Sequence, residues 1–88
     1  MKTYFDKTEK ELIIELKNKL DNKVINIDNV KSDVAEFIGD NKLKIYRNRT
    51  RDMRYDYILV SKGIEIGIAV KQINKFQYMV INTYWNGF

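Results

Sequence analysis

Eighty-eight residues, 44% of them hydrophobic, are enough for one folded domain and too few for two. The chain has no cysteine and no histidine, which excludes a disulfide framework, a thiol nucleophile, an ordinary zinc site and every imidazole-based acid–base pair. Its net charge of +4 is unevenly laid out: residues 1–41 hold seven basic and nine acidic side chains, a net of −2, and residues 42–88 hold nine basic and three acidic, a net of +6.

Proline is absent and the four glycines are scattered, so the chain reads as a single domain, 1–88, without a linker or repeat. A first helix is expected from about Lys7 to Leu20. Thr8 and Glu11 are spaced as a capping box, and Leu12, Ile13, Leu16 and Leu20 recur at helical spacing. Val24 to Ile27 is a short apolar link of extended chain. A second helix follows from about Asn29 to Ile38, with Asp28 or Asn29 as its cap and Gly39 as its stop.

Beyond Asp40 the period changes from helical to alternating. One strand is expected from Leu43 toward Arg49 and a second from Tyr55 to Val60. Lys62-Gly63 reads as a tight turn into a third strand, in which Ile64, Ile66, Ile68 and Val70 alternate with Glu65, Gly67, Ala69 and Lys71. Asn74-Lys75 turns into a last strand from Phe76 to Trp85. The expected fold is α+β: two N-terminal helices packed on a four-stranded antiparallel meander, in the order α-α-β-β-β-β. No apolar run approaches a membrane span in length, and Met1 to Asp6 lack a signal-peptide core, so a cytoplasmic location is expected.

All four arginines, Arg47, Arg49, Arg51 and Arg54, fall within eight positions, whereas the other basic residues are twelve lysines. The planar guanidinium fork binds phosphate through two parallel hydrogen bonds, which a lysine cannot do. Together with Lys44 and Tyr46 these arginines form a candidate phosphate and base contact, although charged residues also protect exposed strand edges. Tyr46, Tyr55, Tyr57, Tyr78 and Tyr84 interleave with the cations, as on base-stacking platforms, and tyrosine is also a good strand residue in its own right. On the third strand, Gly67 and Ala69 lie between Glu65 and Lys71 on one face, a pattern that reads as a shallow trough or as an ordinary solvent face. The last strand is apolar on both faces, as for a central strand or a contact surface. Strict alternation would put Thr83 with Met79, Ile81 and Trp85, and Asn82 with Tyr78 and Tyr84.

Helices first, then an antiparallel meander with Tyr46-Arg47, the Tyr55 strand and a late Ile81-Asn82-Thr83-Tyr84-Trp85, resembles the broad superfamily of RNase toxins that joins barnase, the EndoU and colicin tRNases and the RelE-type mRNA interferases. The resemblance implies metal-independent RNA cleavage, in which the 2′-hydroxyl attacks its own phosphate. It would give phosphate clamping to Arg47, Arg49 and Arg54, the base to Lys71 or Glu65, proton donation to Tyr84 and a phosphate-oxygen bond to Thr83. The chain departs from members that use histidine and would depend, like RelE-type members, on lysine, arginine and tyrosine.

The expected function is therefore a small ribonuclease toxin domain acting on tRNA or mRNA. It would need no cofactor and no metal, would meet an acidic immunity or antitoxin protein, and could be delivered into a target cell's cytoplasm within a larger effector. The alternative is a non-enzymatic, phage-type inhibitor of a host nuclease or defence complex, and a third possibility is a plain RNA- or DNA-binding module.

Overall fold

The computed structural model describes residues 9–50 and 54–85, so Thr8 of the expected capping box and the candidate Arg51 lie outside the described residues. The first helix, α1, spans Glu9–Leu20. Glu9 and Glu11 stand in its first turn and Lys17 and Lys19 in its last, each favourable against the helix dipole. Ile13, Leu16 and Leu20 are buried along one stripe. Asn22, with φ 69°, reverses the chain in the left-handed region that asparagine tolerates.

The apolar link is a strand, β1, Val24–Asn26, and a 3-10 turn, Ile27–Asn29, leads from it into the second helix, α2, Val30–Ile38. Asn29 makes no side-chain cap bond. Asp33 in the first turn of α2 instead reaches back to accept the Asn26 N–H at 2.7 Å. Gly39 ends α2 at φ 74°, with its N–H donated to the Ala35 carbonyl.

Four further strands follow: β2, Lys44–Arg47; β3, Tyr57–Ser61; β4, Ile64–Asn74; and β5, Gln77–Trp85. The sheet is antiparallel and five-stranded, in the order β1-β5-β4-β3-β2. The expected four strands are thus five, because β1 pairs with β5, Ile25 opposite Tyr78. That pairing places β5 inside the sheet, hydrogen-bonded along both edges, while its open-side residues such as Ile81 remain exposed. Lys62 and Gly63 form the β3–β4 turn with φ 54° and 77°, the two positive values that a tight hairpin needs to match strand twist.

Both helices pack on one face of this sheet. Ile13, Leu16 and Leu20 of α1 and Val30, Val34 and Ile38 of α2 meet Ile25, Leu43, Leu59, Ile64, Ile66, Ile68 and Val80 in one core. The regular alternation of Ile64, Ile66 and Ile68 therefore faces the helices as the sequence pattern requires. No described helix is long and apolar enough to cross a membrane.

At the helix end of the sheet, the Ser61 hydroxyl, only 2% exposed as a residue, donates to Asp40 at 2.6 Å, and the Lys42 N–H donates to the same carboxylate at 2.9 Å. The Ser61 bond holds the Asp40 carboxyl below its ordinary value of 3.8; partial burial opposes this, and the Lys42 N–H and the nearby lysine charges add to it. A lowered carboxylate contributes stability above its unfolded value and loses it as pH falls through the folded value. Asp40→Asn is expected to cost about 1–2 kcal/mol at pH 7, with the gap to wild type closing below about pH 4. Urea unfolding at pH 7 and pH 3 measures this, and an unchanged gap at pH 3 would refute it.

Candidate nucleic-acid interface

Among the described residues the opposite face of the sheet carries no helix, and its contents follow from the strand register. Tyr46 of β2 lies opposite Ile58 of β3, Ile58 opposite Gly67 of β4, and Gly67 opposite Tyr84 of β5. These four positions make one row across four strands on the open face. With strands about 4.8 Å apart, Tyr46 and Tyr84 stand about 14 Å from each other. Tyr46 is 53% exposed, so its ring is presented to solvent, and Tyr84 is half-buried.

The middle of the row is filled by Tyr55. The sequence pattern puts this residue in a strand, but β3 begins at Tyr57, and a bend at Asp56 turns Tyr55 to the face opposite Tyr57. A Cβ built on Gly67 would meet the Tyr55 ring at 2.5 Å, so only glycine leaves room for it. The stretch read as a shallow trough or a solvent face is thus covered by a ring at Gly67, and Tyr55 and Ala69 are each only 7% exposed. The Tyr55 and Tyr84 ring centroids are 6.2 Å apart with planes inclined at 39°, within the favourable range for an aromatic pair.

Tyr55 and Asp56 are tied to the neighbouring chain on both sides. Asn48 donates its backbone N–H to the Asp56 carbonyl at 2.8 Å and its side-chain amide to the Tyr55 carbonyl at 2.8 Å. The Asp56 N–H donates to the Ile68 carbonyl at 2.8 Å, while the Asp56 carboxylate accepts the Val70 N–H at 2.9 Å. These bonds fix the support of the aromatic row without using the sheet's regular ladder.

A bulge between Ala69 and Val70 decides which β5 residues belong to this face. Ala69 lies opposite Asn82 and Val70 opposite Val80, so Ile81 is the extra residue. Strict alternation is therefore broken. Val80 and Thr83 both face the helices, whereas Met79 and Tyr84 are on the open side with Ile81 between them, which is 51% exposed.

This shift separates the residues expected to act together. Thr83 is buried on the helix side, and its hydroxyl donates to Asp21 at 3.1 Å, so it is a packing and hydrogen-bonding residue of the interior. Arg47 also lies on the helix-side face, opposite Tyr57 in register, with its guanidinium 5.7 Å from the Tyr57 ring centroid. Burial pushes the Tyr57 phenol above its ordinary value of 10.0, with the neighbouring Tyr78 adding to the shift. Arg49 is exposed in the segment after β2 rather than on the strand beside Arg47.

The open face keeps Lys44, Tyr46, Arg54, Glu65, Lys71 and Tyr84. The Arg54 guanidinium lies 5.7 Å from the Tyr84 ring centroid, a cation–π contact. Lys44 and Glu65 flank Val60 in the neighbouring row. Glu65 is a diagonal neighbour of Tyr84 across the β4–β5 ladder, at about 7–8 Å. Lys71, opposite Met79, is six residues along β4 from Glu65, about 20 Å away, so these two do not form an acid–base pair. Sequence reasoning found the ends of the row, Tyr46 and Tyr84, and missed Tyr55 as its centre; a lone glycine in an otherwise β-branched strand was the available sign of a close approach.

Compared with protein-family models, with curated protein sequences and with solved structures, the chain matches none, and the reading of this face stands on its own geometry.

Proposed function

We propose that this protein is a small basic nucleic-acid-directed protein that binds single-stranded RNA on the helix-free face of its sheet. The observation that carries the reading is the cross-strand row Tyr46–Ile58–Gly67–Tyr84, supported from within by the Tyr55 ring and topped by the Arg54 guanidinium. Tyr46 offers an exposed ring and Tyr84 a half-buried one beside the Arg54 cation. Aromatic rings near cations stack on unpaired bases without needing a particular sequence, and the guanidinium supplies charge for the backbone. A duplex hides its base faces, so an aromatic row favours single strands.

Binding of a fluorescent oligouridine, followed by anisotropy, tests this directly. Tyr46→Ala and Tyr84→Ala are each expected to weaken binding by about 5- to 150-fold, the range that corresponds to one stacked base. Arg54→Ala is expected to weaken it and to lower the steepness of its salt dependence. Equal affinity for duplex RNA, or no binding at low salt, would overturn the reading; the second result would leave the aromatic face as a protein contact.

Cleavage is a finer step on the same face. Arg54, Glu65 and Tyr84 share it and supply a cation, a carboxylate and a phenol, the groups needed to stabilise and protonate a transferring phosphate. Discrete RNA fragments formed by the wild type and absent with Tyr84→Phe would establish a nuclease. Intact RNA bound tightly by both would make the protein a binding module.

A further inference from the structure

Resting on the RNA-binding reading, we propose that the bound strand turns at Tyr84 and continues along β4 and β5 to Lys71, which anchors a backbone phosphate at the far end of the site. The charge layout of the open face sets this direction. From Tyr84 a strand could run toward Glu65 or toward Lys71. Toward Glu65 it meets a carboxylate two residues from Gly67. Toward Lys71 neither β4 nor β5 carries one, since residues 66–88 contain no acidic side chain. The Asp56 carboxylate, on the segment before β3, is turned into the β4 backbone, where it accepts the Val70 N–H.

The surface along that route suits an unpaired strand. The bulge brings Ile81 out at 51% exposure between Tyr84 and Met79, and Val24, 39% exposed, continues the apolar strip across the Met79 pairing. Lys71 lies opposite Met79, in the same cross-strand row as Val24, with its side chain exposed. It is four residues along β4 from Gly67, or about 13 Å. Added to the 14 Å or so of the aromatic row, the path holds on the order of four to six nucleotides, at the lower end of site sizes for single-strand-binding sheets.

The test is a length series of oligouridines, from two to eight nucleotides, measured by anisotropy on the wild type and on Lys71→Ala. Wild-type affinity is expected to rise up to five or six nucleotides and then level. Lys71→Ala is expected to bind six nucleotides about 3- to 10-fold more weakly, with the salt slope reduced by about 0.7, the value for one phosphate on a single strand. Its deficit should vanish at two or three nucleotides. A wild-type plateau at three nucleotides, or a Lys71→Ala deficit equal at all lengths, would overturn the path while leaving the aromatic row as an RNA site. Failure of the wild type to bind any oligonucleotide would overturn the RNA reading itself.

Discussion

Gly67→Ala is expected to destabilise the fold by about 1–3 kcal/mol, the usual cost of forcing extra atoms into a filled site. In most strand interiors the same change is favourable by about 0.5–1 kcal/mol, because alanine loses less backbone freedom on folding. Here the added methyl carbon would stand 2.5 Å from the ring of Tyr55, a 7% exposed residue whose backbone is held by the Asn48 and Asp56 bonds. The prediction therefore has a sign that depends on Tyr55. Tyr55→Ala alone removes a buried ring and is expected to cost about 3–5 kcal/mol. In that background Gly67→Ala should become neutral or stabilising, which gives a coupling energy of about 1–3 kcal/mol. Urea unfolding of the four proteins measures it. Additive losses would mean that the ring does not occupy the glycine's face.

Ile66→Ala is expected to cost about 2–5 kcal/mol, a large share of the 5–15 kcal/mol that a domain of this size commands. Ile66 has no exposed surface and sits on the central strand, opposite Leu59 on one side and the end of β5 on the other. Truncating it leaves a cavity under both helices that the sheet cannot close without breaking ladder bonds. Ile81→Ala, on the same sheet but half exposed, should stay within about 0.5 kcal/mol. The pair separates stability from binding, because Ile81 lies on the proposed RNA path and Ile66 does not. Comparable losses at the two positions would contradict the assignment of faces.

The parts of this fold that were legible in the sequence are those in which one periodicity runs undisturbed. Leu12, Ile13, Leu16 and Leu20 announced a helix, and Ile64, Ile66 and Ile68 announced a strand and its buried face. The fifth strand was hidden because Val24–Asn26 is three residues long, too short to show alternation, and owes its conformation to a partner far along the chain. Tyr55 looked like a strand residue because Tyr-Asp-Tyr has strand-like composition, while the bend at Asp56 is set by bonds to β4 that no local pattern encodes.

The candidate site was legible at Tyr46 and Tyr84 and illegible in how Thr83 relates to them. One inserted residue at Ile81 reverses the parity of everything after it, sending Thr83 inward to Asp21 and Tyr84 outward to Arg54. The arginine cluster was visible as composition, but not its division: Arg47 and Arg54 end on opposite faces because the chain leaves β2 and bends before β3 begins.

The strand order has a kinetic consequence. Strands β2 to β5 follow one another in both sequence and space, so each pairs with a neighbour already at hand. Only β1 must find β5 across the whole length of the meander, Ile25 against Tyr78. Closing that long loop costs entropy that a three-residue ladder hardly offsets, so β1 is expected to dock after the meander has formed and to come away before it opens. Substitutions in β1 should then quicken unfolding and leave the rate of folding nearly unchanged.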